Sequence, residues 1–185
     1  MTFFLIRRDA AATFSARMRF LAQVLVMVSL AVPAAQAATR TLARSGTWEA
    51  FGGNATTGGP VCGMSQDVDH RYFGLKLFAG DLTFTIQVGG KIWLAVNGRK
   101  QNVVMALDGN RPWRAMATGM HFNDGEAGLE FIINRDELGE FNRQFRDAGQ
   151  LRLQFPGTMA ADWVVGLTGT RAVSDAFERC ARELK

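Results

Sequence analysis

Cysteine is scarce in this chain of 185 residues: there are two, Cys62 and Cys180. They are far apart in sequence and nothing resembles C-x-x-C, so a dithiol redox motif is excluded. Histidine is as rare, with His70 and His121 alone. No H-E-x-x-H, no G-x-S-x-G nucleophile turn and no calcium loop with fixed ligand spacing occurs. Gly-x-Gly-x-x-Gly and P-loop patterns are missing too, which leaves nucleotide cofactors without a cradle. No run of like charge survives beyond the leader described below, so a basic stripe for nucleic acid is not on offer. The one long apolar run, Phe20 to Val32, is interrupted by Gln23 and Ser29 and falls short of the ~20 residues a membrane-spanning helix needs.

That run sits after Arg17 and Arg19 and before Pro33 and Ala35-Gln36-Ala37. A basic start, an apolar centre and an A-x-A site make a secretory signal peptide, residues 1–37, removed to leave Ala38 first. Met18-Arg19 would itself open a compact signal, and Met18 is an alternative start to Met1. The leader holds Arg7, Arg8, Arg17 and Arg19 against Asp9, so most of the formal charge of +4 belongs to it. Residues 38–185 read as a single domain long enough for its own core. In an exported chain two cysteines favour one disulfide, Cys62–Cys180, and a periplasmic or secreted location.

The mature part reads as short strands. Ala38 to Ser45 is a loose lead-in, Thr47 to Phe51 a first strand, and Gly52 to Pro60 a turn-rich stretch. Val61 to Ser65 is a second strand, and Asp67 to Arg71 a polar turn. Phe73, Leu75 and Leu77 share a face, and Leu82, Phe84, Ile86 and Val88 alternate with Thr83, Thr85 and Gln87. Such period-two alternation marks strands with one buried and one wet face, which belong to antiparallel sheets. Ile92, Leu94 and Val96 continue it. Asn97-Gly98 is a hairpin dipeptide leading into Asn102 to Leu107. Trp113 to Thr118 and Leu129 to Ile133 add further strands, so the chain up to Asn134 reads as a meander.

At Asn134 the period changes. Asn134 with Glu137 fits a helix N-cap and its acidic partner. Leu138, Phe141 and Phe145 follow at helical spacing, and Gly149 fits a C′ stop, giving a helix over Arg135 to Ala148. Asp136, Glu137 and Glu140 complement its dipole. Leu151 to Phe155 and Trp163 to Leu167 are strands. From Ala172 a second helix sets Val173, Phe177, Cys180 and Leu184 on one stripe. The fold class is therefore mainly β (α+β), an antiparallel β-sandwich or partly open barrel with two helices in the C-terminal half.

Candidate chemistry is thin. Ser65, Asp69 and His70 are near in sequence, but a triad needs them gathered in space. His121 with Asp124 and Glu126 reads as a turn. Trp93 lies out of phase with its apolar neighbours, and Trp113 and Arg114 follow a turn. These three are the candidate ligand or partner surface, since an exposed aromatic can stack a sugar or anchor a peptide. No catalytic, metal or cofactor residue is assigned.

The last third carries Phe141 and Phe145, Leu151-Arg152-Leu153, Trp163-Val164-Val165-Gly166-Leu167-Thr168-Gly169 and Ala176-Phe177-Glu178-Arg179-Cys180. This pattern resembles secreted proteobacterial envelope proteins of the invasion-associated locus B type, and also the end of TagO-like accessory proteins of type VI secretion. The resemblance covers about a quarter of the chain and implies a small β-rich envelope protein of a kind without established enzymatic activity. Locus B proteins carry more cysteines than the two here, and no functional residue is carried over.

The expectation is an exported, non-enzymatic envelope accessory or binding protein, with an envelope protein as partner, no nucleic acid and no membrane span after cleavage. A carbohydrate-binding module, or a hydrolase with a site scattered in sequence, are the alternatives. Non-reducing mass spectrometry of the exported protein is expected to find Ala38 at its start and a Cys62–Cys180 peptide pair. Two thiols open to alkylation in the native protein would contradict the pairing.

Overall fold

The computed structural model describes residues 38–56, 58–90, 98–122, 124–158 and 160–184. The leader, Trp93 and the alternation through Ile92, Leu94 and Val96 lie outside them, as does Asn97.

Among the described residues, ten strands form one antiparallel sheet: β1 (Thr39–Ser45), β2 (Trp48–Asn54), β3 (Pro60–Val68), β4 (Arg71–Phe78), β5 (Thr83–Gly90), β6 (Lys100–Leu107), β7 (Trp113–His121), β8 (Ala127–Asn134), β9 (Gln150–Gln154) and β10 (Trp163–Gly166). Two helices follow the eighth strand, α1 (Leu138–Asp147) between β8 and β9, and α2 (Thr170–Glu183) at the end. In space the strands run β1-β2-β3-β4-β5-β8-β7-β6-β9-β10, with β1 and β10 as unclosed ends. The alternation calls for this arrangement, because each strand has one apolar face to bury and one polar face to leave in water.

The sheet curls around α1. Phe145 meets Trp48 of β2 edge-on at 5.1 Å and stacks with Phe73 of β4 at 5.8 Å. Phe141 meets Phe84 of β5 at 5.4 Å and Trp113 of β7 at 5.6 Å. Four strands spread across the sheet thus reach two side chains one helical turn apart. A flat sheet could not do this; the right-handed twist of adjacent strands supplies the curvature. Trp48 also donates its indole N–H to the Gly166 carbonyl at 3.1 Å, tying β2 to β10 near the two ends of the sheet.

The second helix lies over β1, β2 and β3, with Val173 and Phe177 fully buried. There Cys180 is bonded to Cys62 of β3, with Cα atoms 5.9 Å apart and 118 residues between them in sequence. In the loop-entropy account a bridge of that span stabilises by about 4–5 kcal/mol.

Several expectations are corrected. The lead-in Ala38 to Ser45 contains a strand: residues Thr39–Ser45 pair with β2, although their side chains are mostly exposed and give no buried alternation to read. Gly52 to Asn54 continue β2 instead of turning. The reason is space: a Cβ on Gly52 would come within 2.7 Å of the Cys180 Sγ, so the glycine serves helix docking within a strand. The polar turn at Asp67 to Arg71 narrows to Asp69 and His70, both at positive φ, as a two-residue hairpin requires. Leu82 is outside β5 and 84 % exposed, not in the core.

The meander holds only through β5. β5 pairs with β8, and β6, β7 and β8 fold back beside it, a Greek-key order set by non-local pairing. Asn134 makes no side-chain cap; a single 3₁₀ turn over Arg135–Glu137 precedes α1. Gly149 is not a left-handed stop either. The helix ends at Ala148 in extended conformation, and the Gly149 N–H is taken by the Asp108 carboxylate at 2.6 Å.

Phe145→Ala is expected to cost about 3–5 kcal/mol, the range for emptying a large aromatic site in a core. Urea unfolding of the oxidised protein measures it. A loss below about 1 kcal/mol would contradict the central place given to this ring.

Candidate functional site

Outward-facing residues are brought together by register alone. Arg44 pairs with Glu49, Glu49 with Ser65, Ser65 with Gly74, Gly74 with Gln87, Gln87 with Glu130, Glu130 with Thr118 and Thr118 with Lys100. Directly paired residues point to the same side of a sheet, so these form one transverse row across eight strands, β1 to β6 in spatial order. The inward neighbours, Phe73, Val88 and Leu129, are buried.

The centre of the row is hydrogen-bonded. Lys76 of β4 donates through Nζ to Gln87 Oε1 at 2.8 Å, and Gln87 Nε2 donates to Glu130 Oε2 at 2.8 Å. The amide of Gln87, itself 8 % exposed, thus bridges an ammonium and a carboxylate, whose charges decide which way it points. Burial pushes Lys76 below the usual lysine range, and the Glu130 carboxylate opposes that shift. At the outer end Glu49 is held below its ordinary value, first by the Thr41 hydroxyl that donates to it at 2.6 Å. Burial opposes this, while the Arg44 hydrogen bond and charge add to it. Lys100 donates to Thr118 Oγ1 at 2.7 Å.

Aromatic rings roof the row where glycine leaves room. The Tyr72 ring occupies the space a side chain at Gly74 would need, and Phe122 does the same over Gly89 and Gly128. The two rings meet edge-on at 5.3 Å. The pKa of Tyr72 is pushed up to about 12, chiefly by burial, with the Ser65 side chain pulling it back and Asp67 adding to it.

The residues singled out from sequence have these places. Trp93 is outside the described residues. Trp113 is half-buried on the inner face, packed on Phe141, with its indole N–H donated to Gln144 Oε1 at 2.8 Å. Arg114, the next residue, is exposed on the outer face opposite Val104. The hydrolase candidates are not gathered. Ser65 pairs with Gly74, while Asp69 and His70 form the turn beyond three further residue pairs, roughly 13 Å away at about 3.3 Å per residue. Near His121 the Asp124 carboxylate accepts the Glu126 N–H at 3.0 Å, a turn contact. Among the described residues no group of three or more His, Cys, Asp or Glu side chains is placed to hold a metal ion, and no helix is long and apolar enough to cross a membrane.

Sequence reasoning passed over Lys76, Gln87 and Glu130 as a unit. Their outward phase is visible in each strand, but the pairing of β5 with β8 is not, and that pairing makes the chain of bonds.

No family model matches this chain, and no curated protein matches it. Among solved structures, the crystal structure of invasion associated protein b from Bartonella henselae aligns over 78 % of this chain and 96 % of that chain, with 14 % identity and a TM-score of 0.49. The resemblance is structural and distant.

The raised Tyr72 pKa has a sign. An unfolded tyrosine ionises near 10 and the folded one near 12, so between them the unfolded state sheds a proton that the folded state keeps. Stability from this group is complete below pH 10 and falls as pH rises, by about 1.4 kcal/mol at pH 11. Urea midpoints near pH 9 and near pH 11, compared between wild type and Tyr72→Phe, isolate it. The variant is expected to lose less on going alkaline, and an equal loss would contradict the assignment.

Proposed function

We propose that this protein is an exported, non-enzymatic accessory or binding protein of the cell envelope. The observation that carries the reading is the Cys62–Cys180 bond, which joins the last helix to the buried face of β3. A bond of this kind persists in oxidising compartments outside the cytoplasm. The leader read in residues 1–37 supports the same location.

A binding role is supported by the outer sheet face. Its polar groups are arranged as a transverse row, hydrogen-bonded at its centre. Lys76 is held by Gln87, Gln87 by Glu130, and His70 sits in a hairpin turn. Such a surface presents fixed donors and acceptors to a partner. An envelope protein is the partner class we favour.

Fractionation of cells, followed by photo-crosslinking in the intact cell from a reactive residue placed at Met116, tests the reading. A processed, disulfide-bonded periplasmic or secreted protein with a discrete adduct to one envelope protein is the expected outcome. A cytosolic protein with both cysteines reduced would overturn it.

A further inference from the structure

The outer face carries charges of both signs over β1 to β5 and β8, with Asp67 of β3 exposed among them, but only cations on the strands β6, β7 and β9. Over β1 to β5 and β8, Arg44 is paired with Glu49 at 2.8 Å, and Lys76 is linked to Glu130 through Gln87. Over β6, β7 and β9 the outward charges are Lys100, Arg114 and Arg152, all exposed. Arg152 meets Asp162 at a loose 3.6 Å. Among the described residues no carboxylate lies within ion-pair reach of Lys100 or Arg114.

Between those two cations lies an apolar side chain. β7 presents Arg114, Met116 and Thr118 outward, opposite Val104, Asn102 and Lys100 of β6. Met116 is 56 % exposed, and Ile132, outward on β8, is 59 % exposed. Thr118 faces Lys100 directly, so Lys100 and Arg114 are separated by four residues along the strand direction, roughly 13 Å at about 3.3 Å per residue. That separation is too wide for one small anion to touch both. It equals two side-chain repeats of an extended chain, whose residues on one face recur every second position.

The geometry points to an acidic, extended segment of a partner protein as the occupant of this face. Its carboxylates at the first and fifth positions would lie over Lys100 and Arg114, and an apolar side chain at the third would cover Met116. This rests on the binding-protein reading and adds the chemistry of the partner. The complementarity is electrostatic and solvent-exposed, so it sets orientation and on-rate and weakens as salt rises.

The test uses the oxidised mature protein and a short peptide of the pattern Glu-Ser-Val-Ser-Glu, followed by amide NMR. The Lys-Ser-Val-Ser-Lys peptide and vesicles of anionic phosphatidylglycerol are the comparison probes. Shifts are expected on β6 and β7 with the acidic peptide, falling with salt and absent with the basic peptide. Arg114→Glu should weaken binding about tenfold or more, as reversing a docking charge does. Arg179→Glu, the same charge change on the exposed side of α2, should leave it within about twofold. The far-from-core position of Arg114 keeps the variant folded, and Arg114→Gln, expected to show a smaller loss in the same direction, gives a second measure. Binding that Arg114→Glu leaves intact, shifts confined to other strands, or no binding to the acidic peptide would each overturn the proposal. Binding to the vesicles with none to the peptide would overturn it too, in favour of a lipid surface. An envelope adduct crosslinked elsewhere on the protein would leave the broader reading standing while this one fails.

Discussion

Two phenylalanines one turn apart on α1 are what the curved sheet is built around. Phe141 and Phe145 stack on each other at 5.6 Å and between them touch rings from β2, β4, β5 and β7. Aromatic pairs of this kind contribute about 0.5–1.5 kcal/mol each beyond simple burial. Their larger effect is geometric. The sheet cannot flatten without pulling Trp48 or Trp113 away from the helix, so the curl, the approach of its ends and the seat of α2 all follow from one aromatic stripe. The bond from Cys180 to Cys62 then holds α2 where that curl has placed it.

The same curl gives the outer face its character. Alternation sends Phe73, Leu75, Phe84, Ile86 and Leu129 inward, and by the same period sends Lys76, Gln87 and Glu130 outward. Partly buried polar groups must find partners or be penalised. In the β4–β5–β8 region they find each other, under a roof formed by Tyr72 and Phe122. Around β7 the sheet changes neighbours: its first residues pair with β6 and its last with β8, the two pairings meeting at Thr118. Beyond that corner the outward charges on β6, β7 and β9 are all cations, of which Arg152 meets Asp162.

The alternating strands and the two amphipathic helices were readable without coordinates, because period-two and helical spacing are local properties of the chain. The class of fold followed from them: antiparallel, mainly β, helices late. Where local signals competed with distant contacts the reading failed. Gly52 looked like a turn and is a strand residue cleared for the Cys180 sulfur. Asn134 and Gly149 looked like helix caps, but the chain enters α1 through a 3₁₀ turn, and the Gly149 N–H is satisfied by Asp108, 41 residues away. β1 gave no signal because an exposed edge strand has no buried face to alternate with.

For the outward surface the division is sharper. Which residues point away from the core is encoded residue by residue, in the spacing of apolar side chains. Which outward residues become neighbours depends on strand order and register, and these are decided by hydrogen bonding between segments dozens of residues apart. Gln87 touches Glu130 only because β5 lies beside β8 and not beside the strand that follows it in sequence. Tertiary pairing alone turned scattered polar positions into a connected row and left Lys100 and Arg114 flanking Met116.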